Sequence, residues 1–157
     1  MGGPNRGRRW GWTSKATTDS FISIDTRRWS REGYLKPGAR IRWQWRNYGE
    51  PFANISASVE RGRVILSYKQ RSHGEDWQEM EYPVYPASTP CHRGGARQWF
   101  LCPARGCGRR VALLYGGAVF ACRTCHQLAY PSQRQSRYDR ALRRAENIRS
   151  RLAWVPG

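Results

Sequence analysis

The sequence predicts an α+β protein in which an antiparallel β-meander is followed by a cysteine-rich module and a C-terminal amphipathic helix. Three patterns predict this order. Apolar residues alternate along the first half of the 157-residue chain, four cysteines form two short pairs in the second half, and apolar residues recur every three or four positions near the end. The corresponding segments are a flexible basic arm at 1–18, a β domain with one short helix at 19–90, the cysteine-rich module at 91–133 and an arginine-rich helix at 134–157.

The first segments of the chain are an arm and a short helix. Glycines at four positions oppose a helix within residues 1–18, and the charged residues there are all basic. Ile22 and Ile24 then alternate as in a strand. Asp25 is a typical N-cap for a helix through Glu32, and Gly33 is a typical residue to end it.

Residues 40–46 form the clearest predicted strand. A period of two places Ile41, Trp43 and Trp45 on one face, and the other face is basic, with Arg42 and Arg46. The alternation continues through residues 55–59, a turn at Arg61-Gly62, residues 64–68 and a last strand from Trp77 to Tyr85. These strands predict a meander of about four strands with one buried face.

The four cysteines have the spacing of ligands to one metal ion. Cys102 and Cys107 form the first pair, and Cys122 and Cys125 form the second, with fourteen residues between the two pairs. Zn²⁺ binds four thiolates tetrahedrally with no open position, so we expect structural zinc as the cofactor. An iron–sulfur centre also uses four thiolates, although its usual spacings differ.

Three further residues leave the ligand set open. Either His92 or His126 could replace a thiolate, although neither is needed. We expect Cys91 to be a small buried residue and His126 to lie at the rim of the second pair. Two disulfides are the other reading of the cysteines. They are disfavoured because the N-terminal residues lack the apolar segment of an export signal, which predicts a cytoplasmic protein with reduced thiols.

The segment between the cysteine pairs predicts a hairpin. Residues 109–115 have the pattern of a strand, Gly116-Gly117 that of a turn, and residues 118–121 that of a returning strand. The order of turn, hairpin and turn around four cysteines is that of a zinc ribbon.

Several motifs resemble those of small, mostly uncharacterised zinc-ribbon proteins of bacteria and their mobile elements. They are Thr89-Pro90-Cys91-His92, Trp99-Phe100-x-Cys102-Pro103, Cys107-Gly108-Arg109-Arg110, Phe120-x-Cys122-Arg123-x-Cys125 and Leu128-x-Tyr130-x-Ser132-Gln133. The resemblance covers roughly residues 20–152. It implies a zinc ribbon fused to a β-rich N-terminal part and carries no settled activity.

The C-terminal segment predicts a helix from Gln133 to Trp154. Its apolar stripe, which we expect to dock on the core, consists of Tyr138, Ala141, Leu142, Ala145, Ile148 and Leu152. One flank of the stripe is basic and is called the arginine rail below: Arg137, Arg140, Arg144 and Arg151. Asp139 and Glu146 lie on the other flank.

The charge of the chain predicts an anionic partner. The sequence has 28 Lys and Arg, of which 25 are Arg, against 11 Asp and Glu, and no acid occurs between Glu81 and Asp139. Arginine grips phosphate bidentately and stacks on bases, so we expect DNA or RNA to bind, mainly through its backbone. The expected contact residues are Arg109, Arg110, Arg123 and the arginine rail, with Arg42 and Arg46 extending the surface.

Two other classes of function remain open. An adaptor or inhibitor that binds an acidic protein, or an effector complex in a conflict between mobile elements, would use the same cationic face. A metal-dependent nuclease could use Glu79 and Glu81 on one strand face, but neither has a neighbouring histidine or lysine. We therefore expect a protein that is not an enzyme, and no apolar run long enough to predict a membrane partner.

Overall fold

The computed structural model describes residues 15–71 and 76–152. A single turn of 3-10 helix at Thr18–Ser20 precedes the main elements. These are β1 Ser23–Asp25, α1 Thr26–Arg31, β2 Arg40–Asn47, β3 Glu50–Glu60, β4 Arg63–Gln70, β5 Gln78–Val84, β6 Pro86–Pro90, β7 Ala96–Leu101, β8 Arg110–Val111, β9 Leu113–Tyr115, α2 Pro131–Arg134 and α3 Arg137–Arg151. The predicted α+β class, with its meander, cysteine cluster and C-terminal helix, is confirmed. Most of the predicted basic arm, residues 1–14, lies outside the described residues.

The short helix α1 begins and ends as the sequence predicts. The side chain of Asp25 caps it by accepting a hydrogen bond from the backbone N–H of Arg27 at 2.9 Å. Gly33 follows with a φ of +73°, a conformation that glycine adopts without strain. The helix buries Trp29 completely.

The predicted meander is an antiparallel sheet in the order β2-β3-β4-β5. Its buried face carries Ile41 from β2, Ile55 from β3, Leu66 from β4 and Val84 from β5. The arginines of β2, by contrast, are exposed. Alternation therefore places the core residues and the basic face as expected.

Two smaller sheets complete the β structure. One pairs β1 with β9, and the other has the order β6-β7-β8. The hairpin of β6 and β7, which runs from Pro86 opposite Phe100 to Pro90 opposite Ala96, was not predicted. Proline cannot donate a hydrogen bond within a sheet, so the two prolines of β6 argue against a strand when only the sequence is considered. The strand forms nevertheless, because β6 lies at the edge of its sheet.

One hydrophobic core joins the sheet to the cysteine-rich module. Phe100 and Phe120 flank the cysteine pairs, and both are buried in the same cluster as Trp29, Ile55 and Leu66. The rings of Trp29 and Phe100 meet edge to face, with centroids 6.0 Å apart. The module thus contributes part of the core of the meander.

The predicted hairpin between the cysteine pairs is wrong in its second half. Residues 118–121 form no strand, and a single antiparallel bridge joins Tyr115 to Ala121. Residues 113–115 form their strand with β1, through Ile24 opposite Leu114, and only Tyr115 also pairs with the returning segment. Pairing with β1 buries Ile24 and Leu114 completely, which the short returning segment could not do.

The C-terminal helix also differs from its prediction. It is interrupted at Gln135 and Ser136, because Ser136 caps α3 through a reciprocal pair of hydrogen bonds with Asp139. No side chain of α3 is buried, and the stripe residues Tyr138, Leu142, Ile148 and Leu152 are 48–75% exposed. The expectation that this stripe docks on the core is therefore wrong. In the described part of the chain, no helix has the length and apolar character needed to cross a bilayer.

Candidate metal centre

The four predicted ligands converge on one point. The Sγ atoms of Cys102, Cys107, Cys122 and Cys125 all lie within 4.8 Å of one another. Three of the separations are 3.5 Å for Cys122 and Cys125, 3.8 Å for Cys107 and Cys122, and 3.9 Å for Cys102 and Cys125. Metal–sulfur bonds of about 2.3 Å in a tetrahedron separate the sulfurs by about 3.8 Å, so the cluster fits one ion. A disulfide needs about 2.05 Å, and all four thiols are free.

The first pair sits on a tight turn after β7. The backbone N–H of Cys107 donates to the carbonyl of Ala104 at 2.9 Å, and that of Cys102 donates to the carbonyl of Arg109 at 2.9 Å. Gly106 has a φ of +73°, which lets the chain reverse within the four-residue gap. The wider spacing of this pair is therefore accommodated by its turn.

The second pair lies on a turn that also supplies N–H donors to sulfur. The backbone N–H of Cys122 points at the Sγ of Cys102 at 3.2 Å, and that of Cys125 points at the Sγ of Cys122 at 3.5 Å. Such donors stabilise thiolate charge. The backbone of the module is thus arranged to hold anionic sulfur.

The surroundings set the pKa values of the thiols in opposite directions. Burial raises the pKa of Cys102. Loss of water around the thiol, followed by hydrogen bonds with neighbouring thiols, raises the pKa of Cys125, although this residue is exposed. Burial opposes ionisation of Cys122, but hydrogen bonds from the N–H of Cys125 and from the other thiols lower its pKa to about 7. A cation bound at the centre would offset the repulsion between the sulfurs and favour their anionic form.

The three other candidate ligands, Cys91, His92 and His126, lie outside the cluster. Within the described residues, the four cysteines alone form a group of three or more His, Cys, Asp or Glu able to hold a metal ion. His126 instead makes a 2.9 Å hydrogen bond through Nε2 to the carbonyl of Tyr115, which matches its expected place beside the second pair. Cys91 is exposed at the turn between β6 and β7, so the expectation that it is buried is wrong.

Gly116 and Gly117 have a role that sequence reasoning missed. A Cβ on Gly116 would lie 2.5 Å from a side-chain carbon of Ile22, and one on Gly117 would lie 2.6 Å from the His126 ring. The glycines therefore permit close packing of the module, in addition to the chain reversal between Tyr115 and Ala121. Paired glycines beside a bulky apolar residue are ambiguous in sequence, because tight turns and close contacts both select them.

The predicted nucleic-acid contacts occupy three parts of the fold. Arg42 and Arg46 are exposed on β2. Arg109 and Arg110 are exposed beside the cysteines, and Arg109 donates to the hydroxyl of Thr124 at 3.2 Å. Arg123 is half-buried, donates to the carbonyl of Leu128 at 2.9 Å and lies 4.6 Å from the ring of Tyr130. The guanidinium of Arg123 is thus already held by the protein.

The arginine rail, by contrast, is exposed along its whole length. Arg137, Arg140, Arg144 and Arg151 are exposed along α3, whose fifteen residues span about 22 Å. The two acidic residues of the helix, Asp139 and Glu146, lie away from the rail. The carboxylate of Asp139 accepts hydrogen bonds from the backbone N–H and the hydroxyl of the N-cap residue Ser136. The rail is therefore free to face a large ligand.

The acidic residues of β5 do not form a site with a third carboxylate or histidine among the described residues. Glu79 makes an ion pair with Lys69 across the strands at 2.9 Å. Glu81 accepts a hydrogen bond from Ser67 at 3.2 Å. The two lie on one face of β5 as the sequence predicts, and each has a neighbour on β4.

No protein-family profile, curated protein or solved structure matches this chain.

Proposed function

We propose that this is a non-enzymatic nucleic-acid-binding protein of the cytoplasm, held together by a structural zinc ion. Support for zinc comes from the donor set. Four thiolates around one closed tetrahedral position are the ligands that zinc prefers in structural sites, and no position is left for a substrate. The metal would then shape the surface rather than perform chemistry.

The observation that carries nucleic-acid binding is the acid-free stretch between Glu81 and Asp139. It contains eight arginines: Arg93, Arg97, Arg105, Arg109, Arg110, Arg123, Arg134 and Arg137. Arg93, Arg97, Arg105, Arg109, Arg110 and Arg137 are exposed. In a chain of formal charge +17, these side chains favour a polyanion over any neutral ligand.

The test is fluorescence anisotropy with labelled duplex DNA, single-stranded DNA and RNA over a series of salt concentrations. Affinity should fall steeply with salt, because each phosphate contact releases about 0.9 counterions from B-DNA. Replacing Arg109 and Arg110 by Gln should weaken binding and lower the salt slope by about 2. The matched control replaces Arg61 and Arg63, two exposed arginines at the turn of β3 and β4, and should bind as the unaltered chain does.

The proposal fails if the unaltered chain binds none of these nucleic acids at low salt. It also fails if the two double variants lose affinity equally, since binding would then follow net charge and not the acid-free stretch.

One observation favours a second candidate function, the binding of an acidic protein. The apolar stripe of α3 is exposed beside the arginine rail, which suits an apolar groove with an acidic rim. Binding of phosphate requires only the arginine rail, whereas binding in such a groove requires both the rail and the apolar stripe.

Two variants of α3 separate these candidates. Replacing Leu142 and Ile148 by Ala should leave nucleic-acid binding intact but abolish capture of a protein partner that survives nuclease treatment. Replacing Arg140 and Arg144 by Gln should weaken nucleic-acid binding. Ser150→Ala, which alters an exposed residue of the same helix outside both faces, is the control.

A further inference from the structure

Strands β3 and β4 separate part-way along the meander. Their pairing runs from Glu60 opposite Arg63 to Ser56 opposite Ser67, and no further pair forms between them in the described part of the chain. Yet β3 continues to pair with β2 as far as Glu50, and β4 continues to pair with β5 as far as Gln70. The sheet therefore forks, and its two arms each remain a paired hairpin.

The fork leaves two strand edges facing each other. The backbone of Val59 exchanges hydrogen bonds with Gly38 and Ala39, so it faces β2. Backbone groups alternate in direction along a strand, and those of Ser56 and Asn54 therefore face β4. Ser56 uses that position to pair with Ser67, and Lys69 of β4 faces β3 in the same way. Beyond the fork, the N–H and C=O groups of Asn54 and Lys69 are thus presented without a partner strand.

The space between the arms is an open cleft of about 760 Å³, within the range of ligand sites. Its floor includes Tyr68 and Phe120. Phe52 and Trp77 also line it and are about 60% exposed. Phe52 is the extra residue of a β-bulge between the pairs Trp45–Ala53 and Arg46–Pro51, and such bulges re-aim side chains beside binding sites.

The side chains that line the cleft have a net negative charge, although the guanidinium of Arg71 lies 5.1 Å from the ring of Trp77. The charged lining residues are Lys69, Glu79 and Glu81. Lys69 is paired with Glu79, whereas Glu81 contacts only the hydroxyl of Ser67 among the hydrogen bonds and ion pairs of the described residues. A phosphate would meet this carboxylate with repulsion, and a cationic group would be attracted to it.

We propose that the cleft binds an extended peptide segment that carries a basic side chain. The peptide adds as a strand at the open edges, its backbone hydrogen-bonds to Asn54 and Lys69, its basic group pairs with Glu81, and its flanking side chains contact Phe52 and Trp77. Strand addition of this kind draws affinity from the main chain and specificity from alternate side chains. This partner is additional to nucleic acid and uses a different surface.

Fluorescence polarisation with the full chain tests the proposal. The probe is a labelled eight-residue peptide of alternating Thr and Val with one central Arg, compared with the same peptide carrying Glu. A chain of charge +17 would prefer the acidic peptide on net charge alone, so preference for the Arg peptide identifies the cleft. Glu81→Gln should weaken binding of the Arg peptide about tenfold, because a charge-assisted hydrogen bond is lost. Glu60→Gln, an equal change of charge at the opposite end of β3, should leave it unchanged.

Two further measurements hold even if a variant folds poorly. N-methylation of alternate peptide amides should abolish binding, and the Arg peptide should slow amide-hydrogen exchange at Asn54 and Lys69. Equal or tighter binding of the Glu peptide would overturn the proposal, as would full binding of the N-methylated peptide. Unchanged peptide affinity of Glu81→Gln with tighter binding of oligothymidylate would assign the cleft to single-stranded nucleic acid instead.

Discussion

The rings of Trp45 and Phe120 stack with their centroids 5.9 Å apart and an angle of 19° between their planes. Phe120 also meets the ring of Tyr68 edge to face at 5.2 Å, and its backbone N–H donates to the hydroxyl of Tyr82 at 2.7 Å. Phe120, two positions before Cys122, therefore contacts strands β2, β4 and β5 of the meander.

Phe120→Ala should lower the free energy of unfolding by about 3–5 kcal/mol, because it removes a buried ring and leaves a cavity at this junction. Phe52→Ala, at a phenylalanine that is 60% exposed, should change it by no more than about 0.5 kcal/mol. Chemical denaturation followed by tryptophan fluorescence measures both. A similar cost for the two variants would contradict the assigned place of Phe120 in the core.

Removal of the metal should unfold residues 98–130, because the four cysteines would lose the cation that binds them to one another. Elemental analysis of the purified protein should find one zinc ion per chain, and Cys102→Ser should lose it. Cys91→Ser, at a thiol exposed outside the cluster, should retain full zinc. Equal loss of zinc in both variants would count against the four-cysteine site.

Metal affinity should rise with pH, because the raised pKa values of Cys102 and Cys125 leave protons that the ion must displace. Cys122 is different, since its pKa of about 7 makes it anionic above neutrality without the metal. The slope of log affinity against pH equals the number of protons released when the ion binds. It should therefore fall by about one as the pH rises through 7. Competition with a chromophoric chelator between pH 6 and pH 8 measures the slope, and an affinity independent of pH would contradict the assigned protonation.

Gly117→Ala should destabilise the chain by displacing the His126 ring, which lies 2.6 Å from the added Cβ. The same substitution on a His126→Ala background should cost much less, because the obstacle is gone. Thermal unfolding of the two single variants and the double variant gives the coupling, expected at about 1 kcal/mol or more. Additive effects would show that the glycine is needed for another reason.

Leu142→Ala should change the free energy of unfolding by no more than about 0.5 kcal/mol, because this residue of α3 is 48% exposed. Leu114→Ala, at a fully buried leucine of β9, should cost about 2–5 kcal/mol. Chemical denaturation of both variants is the measurement. A large cost at Leu142 would restore the idea that the helix packs on the core.

Local patterns predicted the parts of the fold that local physics determines. The alternation of Ile41, Trp43 and Trp45 identified β2, and the Asp25 cap identified α1, because both depend on neighbours within a few residues. The cysteine spacing likewise predicted the cluster, since a metal site restricts both residue type and separation.

The errors at residues 113–121 and in the C-terminal helix concern partners that are distant in sequence. Residues 113–115 could pair with the following segment or with β1, and nothing local decides between them. The spacing of Leu142 and Ile148 reveals a helix with an apolar face but not whether another element covers that face. The fork at Ser56 and Ser67 is invisible for the same reason, since the residues beyond it still alternate as a strand does.

The contact of Phe120 with three strands of the meander bears on how this protein can be divided. The predicted boundary of the cysteine-rich module near residue 91 invites a cut of the chain at that point. A fragment beginning there would expose Phe100 and Phe120 to water, and the remaining meander would lose the surface they fill. Fragments meant for binding studies should therefore keep residues 23–130 together. Substitutions that aim to change what the protein binds can then be made at exposed side chains of an intact fold.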